Sequence, residues 1–236
     1  MKCTSYDECV EQYNHAILSL WKLEFDNAIK STENTNVKFK QFCFHVNQVE
    51  SPIWFFGMNP SLPKPTNDFI SQTSYINDNL IVELKNEQAR MHKNHPYFEA
   101  AIKFFKKDVG IQELETPVFH DLYPVRHTKQ KEFVQFIKHE ENKEFREKLD
   151  EATKELIDGI MPDIIVIANA KASKLMQKIF FGRNEYNGET KLTYELDGKK
   201  TDMIFSSMLS GQRALDTYSR SRLAREISKT WKDRNN

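Results

Sequence analysis

A short polar motif follows a run of large apolar residues in the first third of the chain. Residues 53–56 read IWFF, and Gly57-Met58-Asn59-Pro60-Ser61 follow directly. The asparagine amide carries both a donor and an acceptor, so it could hold a reacting group. The same residues are typical of an ordinary strand that ends in a turn, because glycine permits unusual backbone angles and Asn-Pro starts turns. The motif alone leaves both interpretations open.

Polar residues also follow three further apolar runs. They are His120, Asp121, Arg126 and His127 near the second run, Asn169 after the third, and residues 206–213 (SSMLSGQR) at the fourth. In an open parallel sheet, ligands bind beyond the carboxyl ends of the strands. If the four runs are strands of such a sheet, the polar residues that follow them line one site.

Short apolar runs alternate with amphipathic helical patterns along the chain. The predicted strands are 53–56, 118–123, 163–168 and 203–206, and the predicted helices are 6–29, 95–110, 129–139, 143–160, 170–181 and 219–232. Residues 192–205 add a hairpin with Asp197-Gly198 as its tight turn. Strands that alternate with helices indicate a sheet covered on both faces. We therefore predict an α/β fold, a three-layer αβα sandwich around a four-stranded, mainly parallel sheet.

Composition sets the outer limits of the interpretation. The 236 residues contain no Pro/Gly/Ser-rich linker, which predicts a single α/β domain over 1–236 with residues 1–50 as a helical N-terminal extension. Lysine plus arginine equals aspartate plus glutamate at 34 each, so any nucleic-acid contact must use a local patch. The N-terminus lacks signal-peptide features and no apolar run is long enough to span a membrane, so we expect a cytoplasmic monomer. Three cysteines without metal-type spacing predict neither a disulfide framework nor a zinc site.

The GMNPS stretch resembles the first active-site motif of the uracil-DNA glycosylase superfamily. GMNP is similar to the GxNP form of its mismatch-specific and single-strand-selective branches. In those enzymes the asparagine positions the water that attacks the sugar carbon once the base has flipped out of the stack. The resemblance implies a glycosylase-like fold, DNA as partner, no metal or other cofactor, and Asn59 as a catalytic residue. It also implies substrate contacts for Gly57, Met58, Pro60 and Ser61.

The resemblance covers most of the chain after about residue 50, with departures at three sites. HPYFEAAIKFF, VFHDLYPVR, PDIIVIANAKASKLM and SSMLSGQRALD resemble the family's later segments. Asp121 stands where the base-reading asparagine is expected, and Asn169 replaces a glycine. Met208-Leu209-Ser210 takes the place of His-Pro-Ser, so the usual electrophilic histidine is missing.

The aspartate at 121 changes the base that the resemblance implies. An ionised carboxylate only accepts hydrogen bonds, so it would repel the O4 of uracil but accept from the exocyclic amine of a cytosine-type base. A modified cytosine, such as one carried by a virus, or a damaged amino-bearing base then becomes the expected substrate. The alternative is structural: Asp121 could cap a helix or pair with Arg126 or His127.

The remaining candidates would bind the substrate or the DNA backbone. His120, Asn169, Ser207 and Ser210 are the other expected substrate contacts, and the serines could equally be ordinary turn formers. The expected DNA-binding residues are Leu209 as an apolar wedge, with Gln212, Arg213 and Arg126 at phosphates. Leu209 could instead pack against a helix.

The sequence leaves two hypotheses about function. The first is a monofunctional DNA glycosylase, acting in repair or in defence against modified viral DNA. The second is a catalytically altered protein of the same fold that binds DNA or a protein partner. A nucleotide-binding or small-molecule hydrolase function is weaker, since the sequence contains no GxxxxGK[ST], GxGxxG or GxSxG motif.

Overall fold

The chain folds around a five-stranded sheet. The computed structural model describes residues 3, 5–32, 44–45, 50–59, 82–83, 85–86, 96–111, 114, 116–127, 130–183, 189–209 and 214–235. The strands are β1 (Ile53–Gly57), β2 (Val118–Asp121), β3 (Ile164–Ala168), β4 (Lys191–Leu196) and β5 (Lys199–Ser206), in the spatial order β2-β1-β3-β5-β4. The α-helices are α1 (Tyr6–Thr32), α2 (Pro96–Phe104), α3 (Gln130–Lys138), α4 (Lys143–Ile160), α5 (Ala170–Phe181) and α6 (Thr217–Asn235). A π-helical turn, Phe105–Val109, continues α2, and a 3₁₀ turn, Glu140–Asn142, precedes α4.

The four predicted strands and the alternation of strands with helices are confirmed. β1 pairs in parallel with β3, and β3 pairs in parallel with β5. Every residue of β1 and β3 is buried. Strands covered on both faces need apolar residues at every position, which is why they read as continuous apolar runs in the sequence.

The prediction of a four-stranded, mainly parallel sheet is wrong in one respect, because the sheet is mixed and has a fifth strand. β4 runs antiparallel to β5, with pairing from Lys191↔Ile204 to Leu196↔Lys199. The predicted turn is confirmed: Asp197 (φ 51°) and Gly198 (φ 79°) both adopt positive φ, as a two-residue hairpin of this type requires. The first arm of the hairpin pairs along most of β5, so it belongs to the same sheet.

By its internal contacts the chain divides into two compact units. The first unit takes its residues from 1–47, 58–89 and 121–159, and the second from 48–57, 90–120 and 160–236. The first unit contains α1, α3 and α4. α1 confirms the N-terminal helix that the sequence predicts, and α4 buries Phe145, Leu149 and Leu156 on one stripe. The second unit contains most of the sheet with α2, α5 and α6.

Helices lie on both faces of the sheet in the second unit. Ile204 of β5 belongs to an apolar cluster with Leu223 and Ile227 of α6. Thr201 lies three residues before Ile204 in β5, so it faces the other side of the sheet, and its cross-strand partner Tyr194 of β4 shares that side. Tyr194 packs there against Phe180 of α5, with ring centroids 5.0 Å apart. This arrangement agrees with the three layers that the sequence predicts.

The cysteine prediction needs a correction. Cys3 and Cys9 form a disulfide, with their Cα atoms 5.4 Å apart. Gly159 at the end of α4 lies against this bridge, and an added Cβ would come within 2.8 Å of the Cys9 sulfur. The spacing of six residues matches neither a common metal motif nor a framework of several bridges, so it did not indicate the bond.

Two features are absent from the described residues. No described helix has the length and apolar character that a membrane crossing requires. Within the same ranges, no cluster of three or more histidine, cysteine, aspartate or glutamate side chains is arranged to hold a metal ion.

Candidate active site

The segment after β1 is hydrogen-bonded to the segment after β2. The backbone amide of Tyr123 donates to the carbonyl oxygen of Met58 at 3.0 Å. β1 and β2 are neighbours in the sheet, so the segments that follow them leave the sheet side by side. Met58 is buried, which anchors the residue that precedes Asn59. The sequence prediction that the ends of these two runs meet is consistent with this bond.

The Asn59 side chain is oriented by two backbone carbonyl groups. Its amide nitrogen, Nδ2, donates to the oxygen of His127 at 2.9 Å and to the oxygen of Val125 at 3.4 Å. Both acceptors are carbonyls, so they also decide which end of the amide is nitrogen. The amide nitrogen is thus directed at the segment 125–127, and Oδ1 is the acceptor end of the amide.

Asp121 ends β2, and its carboxyl group is poised between two protonation states. The residue retains some exposure, yet burial raises the pKa of the carboxyl from its ordinary value of 3.8 to about 7. No described residue forms an ion pair or hydrogen bond with Asp121, so the alternative of pairing with Arg126 or His127 finds no support within the described ranges. Near neutral pH the group is present in both forms. The base preference expected from the sequence rested on the ionised form alone.

Residues of α4 fix the segment that carries the acceptors of Asn59. The Tyr123 hydroxyl donates to Asp150 at 2.8 Å, and the Thr153 hydroxyl donates to the oxygen of Leu122 at 3.1 Å. Burial and the charge of Asp150 hold the pKa of Tyr123 well above its usual range, so the phenol stays a donor. These positioning residues were not predicted from the sequence.

His120, one residue before Asp121, lies among the aromatic side chains of the sheet. Its ring packs edge-to-face on Phe56 with centroids 4.9 Å apart and lies 6.0 Å from Trp54. The side chain is 9% exposed. Its predicted role as a substrate contact stays a prediction, and the structure shows an aromatic packing role beside it.

Asn169 caps the helix that follows β3. Its side-chain oxygen accepts from the amides of Lys171 at 2.9 Å and Ala172 at 3.2 Å. An asparagine between an apolar strand and an amphipathic helix is a common N-cap signal, which the sequence analysis did not use. The side-chain oxygen of Asn169 is therefore already bonded to two backbone amides. Its role as a substrate contact stays a prediction.

Two predicted DNA contacts are buried. Leu209 is 5% exposed and belongs to the same apolar cluster as Ile204 and Leu223, which is the packing alternative that the sequence left open. Arg126 is 2% exposed, so a phosphate could reach its guanidinium only after a rearrangement. Both DNA-binding roles stay predictions.

The remaining candidates are distributed as follows. Gly57 is the buried last residue of β1, and Ser207 follows β5 with partial exposure. Pro60, Ser61, Ser210, Gln212 and Arg213 lie outside the described residues. The described part of the site in the first unit therefore consists of Met58, Asn59 and the segment 121–127.

Comparisons with known proteins give no family assignment. No family model matches the sequence, and no curated protein is significantly similar to it.

Proposed function

We propose that the protein is a monofunctional DNA glycosylase with a uracil-DNA glycosylase-like fold. Its substrate is a flipped cytosine-type base that carries a modification, or a damaged base that bears an amine. The observation that carries this proposal is the orientation of Asn59, whose amide donates to the oxygens of Val125 and His127. That orientation suits the water-positioning role that the GMNP motif implies.

Asn59 would position the nucleophile. An amide whose N–H groups are already engaged offers its oxygen to a water, and the water keeps a lone pair directed at the sugar. Holding the nucleophile in one geometry lowers the barrier because little orientational freedom is lost in the reaction. An asparagine cannot take a proton, so the water must lose its proton to solvent after attack.

Asp121 would read the base and assist its departure. A protonated carboxyl group offers one donor and one acceptor, whereas the ionised group only accepts. The protonated form therefore matches cytosine, with its O–H toward the ring nitrogen N3 and its second oxygen toward the exocyclic amine. Uracil presents an N3–H donor and an O4 acceptor, so it pairs poorly with the same carboxyl group in that orientation.

The reaction balances with these two groups and one water. The bond between the sugar carbon C1′ and the base nitrogen N1 breaks, and its electron pair leaves with the base. The Asp121 proton passes to N3, so the base departs neutral. The water on Asn59 adds to C1′ and releases a proton, which leaves an abasic sugar, and Asp121 regains a proton from solvent.

The DNA must present its base outside the stack, because neither group could reach a paired base. Unmodified cytosine is present throughout genomic DNA, so the enzyme must require a further modification. Both repair and defence against modified viral DNA meet this condition. We also propose that the protein acts as a monomer in the cytoplasm, which sedimentation and cell fractionation would test.

The experiment is incubation with a panel of DNAs carrying modified cytosines, damaged bases or uracil, followed by alkaline cleavage. We expect alkali-labile breaks at one class of modified base with the wild type and none with Asn59→Ala. Asn235→Ala is the matched control, because Asn235 is an exposed asparagine whose amide also donates to a backbone oxygen, that of Trp231. Equal cleavage by Asn59→Ala and the wild type would refute the proposal.

The second candidate is a DNA-binding or protein-binding protein without catalysis. Two observations favour it. The stretch SSMLSGQR lacks the loop histidine, and Leu209 in that stretch packs in the apolar cluster. A protein of this kind would shift the mobility of DNA and leave every strand intact after alkali.

A further inference from the structure

A cavity of about 380 Å³ lies in the second unit at the carboxyl ends of β3 and β5. Its lining comes mainly from the first turns of α5, the end of β5 and the N-terminal half of α6, with Thr190 before β4 and Leu215 before α6. Ligands of α/β sheets bind beyond the carboxyl ends of the strands, and pockets for small organic ligands start at about 300 Å³. The position and the size of the cavity thus suit a small ligand.

The charges at the cavity favour an anion. Lys174 and Arg222 line it, and neither forms an ion pair with any described residue. Glu226 is the acidic residue in the described lining, and its carboxylate lies 3.9 Å from Lys191. One of the three charged side chains is thus partly neutralised by a neighbour, and the two that remain are cations.

Hydroxyl groups also line the cavity. Ser207 offers its hydroxyl there, whereas the Ser173 hydroxyl already donates to the backbone oxygens of Asn169 and Ser206, and the Ser219 hydroxyl donates to Asp216. The first-turn amides of α5 and α6 are partly used, since Asn169 accepts from Lys171 and Ala172, and Asp216 accepts from Ser219 at 2.8 Å. A bound anion would therefore be held by side chains, while the positive ends of both helix dipoles add a favourable field.

Part of the cavity wall is apolar. Ile204, Leu215 and Leu223 line the cavity beside the charged groups. A bare inorganic anion would leave this surface in contact with water. A ligand that joins a phosphate to an organic body would cover both kinds of surface.

We propose that this cavity binds a phosphate ester of mononucleotide size. The phosphate lies between Lys174 and Arg222 with the Ser207 hydroxyl as a donor, and the organic body rests on Leu215 and Leu223. The proposal does not depend on the chemistry assigned to Asn59 and Asp121, because neither residue lines the cavity; of the expected substrate contacts, Ser207 belongs to the described lining. The phosphate could come from a free nucleotide or from a nucleic-acid chain, and the probes below separate these sources.

The first test is calorimetric titration of the full chain at low salt. The probes are deoxycytidine monophosphate, deoxycytidine, inorganic phosphate and a short single-stranded DNA. We expect saturable binding of the monophosphate, competition by inorganic phosphate, and at least about tenfold weaker binding of the nucleoside. Binding of the DNA alone, lost in Lys174→Gln/Arg222→Gln, would support the phosphate site and assign the phosphate to a nucleic-acid chain.

The variants give the test a matched control and a gain of function. Lys174→Gln/Arg222→Gln should weaken binding of the monophosphate at least about tenfold, about 1.4 kcal/mol. Lys178→Gln/Arg225→Gln removes two exposed cations from the same helices outside the cavity lining and should change nothing. Glu226→Gln should strengthen binding several-fold because it removes the carboxylate from the lining, an effect that a merely structural role would not produce.

Two results would overturn the proposal. One is the absence of saturable binding by every phosphate-bearing probe, and the other is equal weakening by the two double variants. Thermal unfolding of each variant shows whether it is folded. The Asn59→Ala variant should bind the monophosphate like the wild type, so a failure of excision and a failure of this site are read separately.

Discussion

The side-chain amide of Asn59 donates to the backbone oxygen of His127 over 2.9 Å, which links residues 68 positions apart in sequence. The bond fixes the direction of an amide that follows a fully buried strand. It also ties the segment after β1 to the segment that Asp121 begins. The proposed chemistry depends on this hydrogen bond, and single substitutions at Asn59 can remove it.

Replacing Asn59 by aspartate should damage both stability and function. The new carboxylate cannot donate, so it would face the oxygens of Val125 and His127 without a hydrogen bond. We expect the free energy of unfolding to fall by about 1–3 kcal/mol and excision to disappear. Denaturant unfolding and the alkaline assay measure the two effects. An aspartate variant as stable and as active as the wild type would contradict the assigned orientation.

The pH dependence of stability should carry the signature of Asp121. Its pKa rises from an ordinary 3.8 to about 7 in the folded protein, so between these values the folded state binds more protons than the unfolded state. Stability should therefore decrease as pH rises from about 4 to about 7, by at most about 4 kcal/mol, and the contribution should level off above that. Part of this amount is screened because the residue retains some exposure.

The control for this prediction is Asp121→Asn, which cannot ionise. Its unfolding free energy should lack this component of the pH dependence and exceed that of the wild type at pH 8. Denaturant unfolding at several pH values between 4 and 8 provides the comparison. Parallel curves for the two proteins would show that the carboxyl group is not buried enough to shift.

The same substitution should alter catalysis and base preference. If the protonated carboxyl group reads the base, kcat/KM of the wild type should fall about tenfold per pH unit above about 7. An asparagine keeps a donor and an acceptor at every pH, whereas the ionised Asp121 only accepts and repels O4 of uracil, so Asp121→Asn should excise uracil better relative to modified cytosine, most clearly above pH 7. Excision rates on the two substrates across pH measure both effects. An unchanged preference would remove the assignment of Asp121 as the base-reading residue.

Gln177 offers a stability prediction that does not depend on function. The side chain is 1% exposed, and neither its amide nitrogen nor its oxygen has a hydrogen-bond partner within the described part of the chain. Burial of an unsatisfied amide costs about 1–3 kcal/mol, so Gln177→Met should raise the free energy of unfolding by a similar amount. Lys178→Met at the next, exposed position is the control. A loss of stability in Gln177→Met would show that the amide has a partner in solution.

The sequence predicted the features that local chemistry encodes. The apolar runs identified β1 and β3, and the pair Asp197-Gly198 identified the hairpin turn, because each feature depends on neighbouring residues. The hairpin was predicted, but the place of its first arm as a fifth strand of the sheet was missed, because β4 is only partly buried and shows no continuous apolar run. The Cys3–Cys9 bond was missed for a similar reason, since cysteine spacing alone does not determine pairing.

In the candidate site, too, some features were visible in the sequence and others depend on the fold. The asparagine was visible in the sequence, but its acceptors are backbone carbonyls, which no residue type marks. The protonation of Asp121 depends on burial, and the packing of Leu209 depends on the fold around it. The capping role of Asn169 could have been predicted from its position between a strand and a helix.

The most direct test of the central claim is a single-turnover measurement of abasic-site formation on DNA containing the preferred modified cytosine. The wild type and Asn59→Ala are compared at pH 6.5, where Asp121 is largely protonated. The proposed mechanism predicts that the variant still binds the DNA but forms abasic sites about 100-fold more slowly or not at all. Equal rates for the two proteins would contradict the assignment of the attacking water to Asn59.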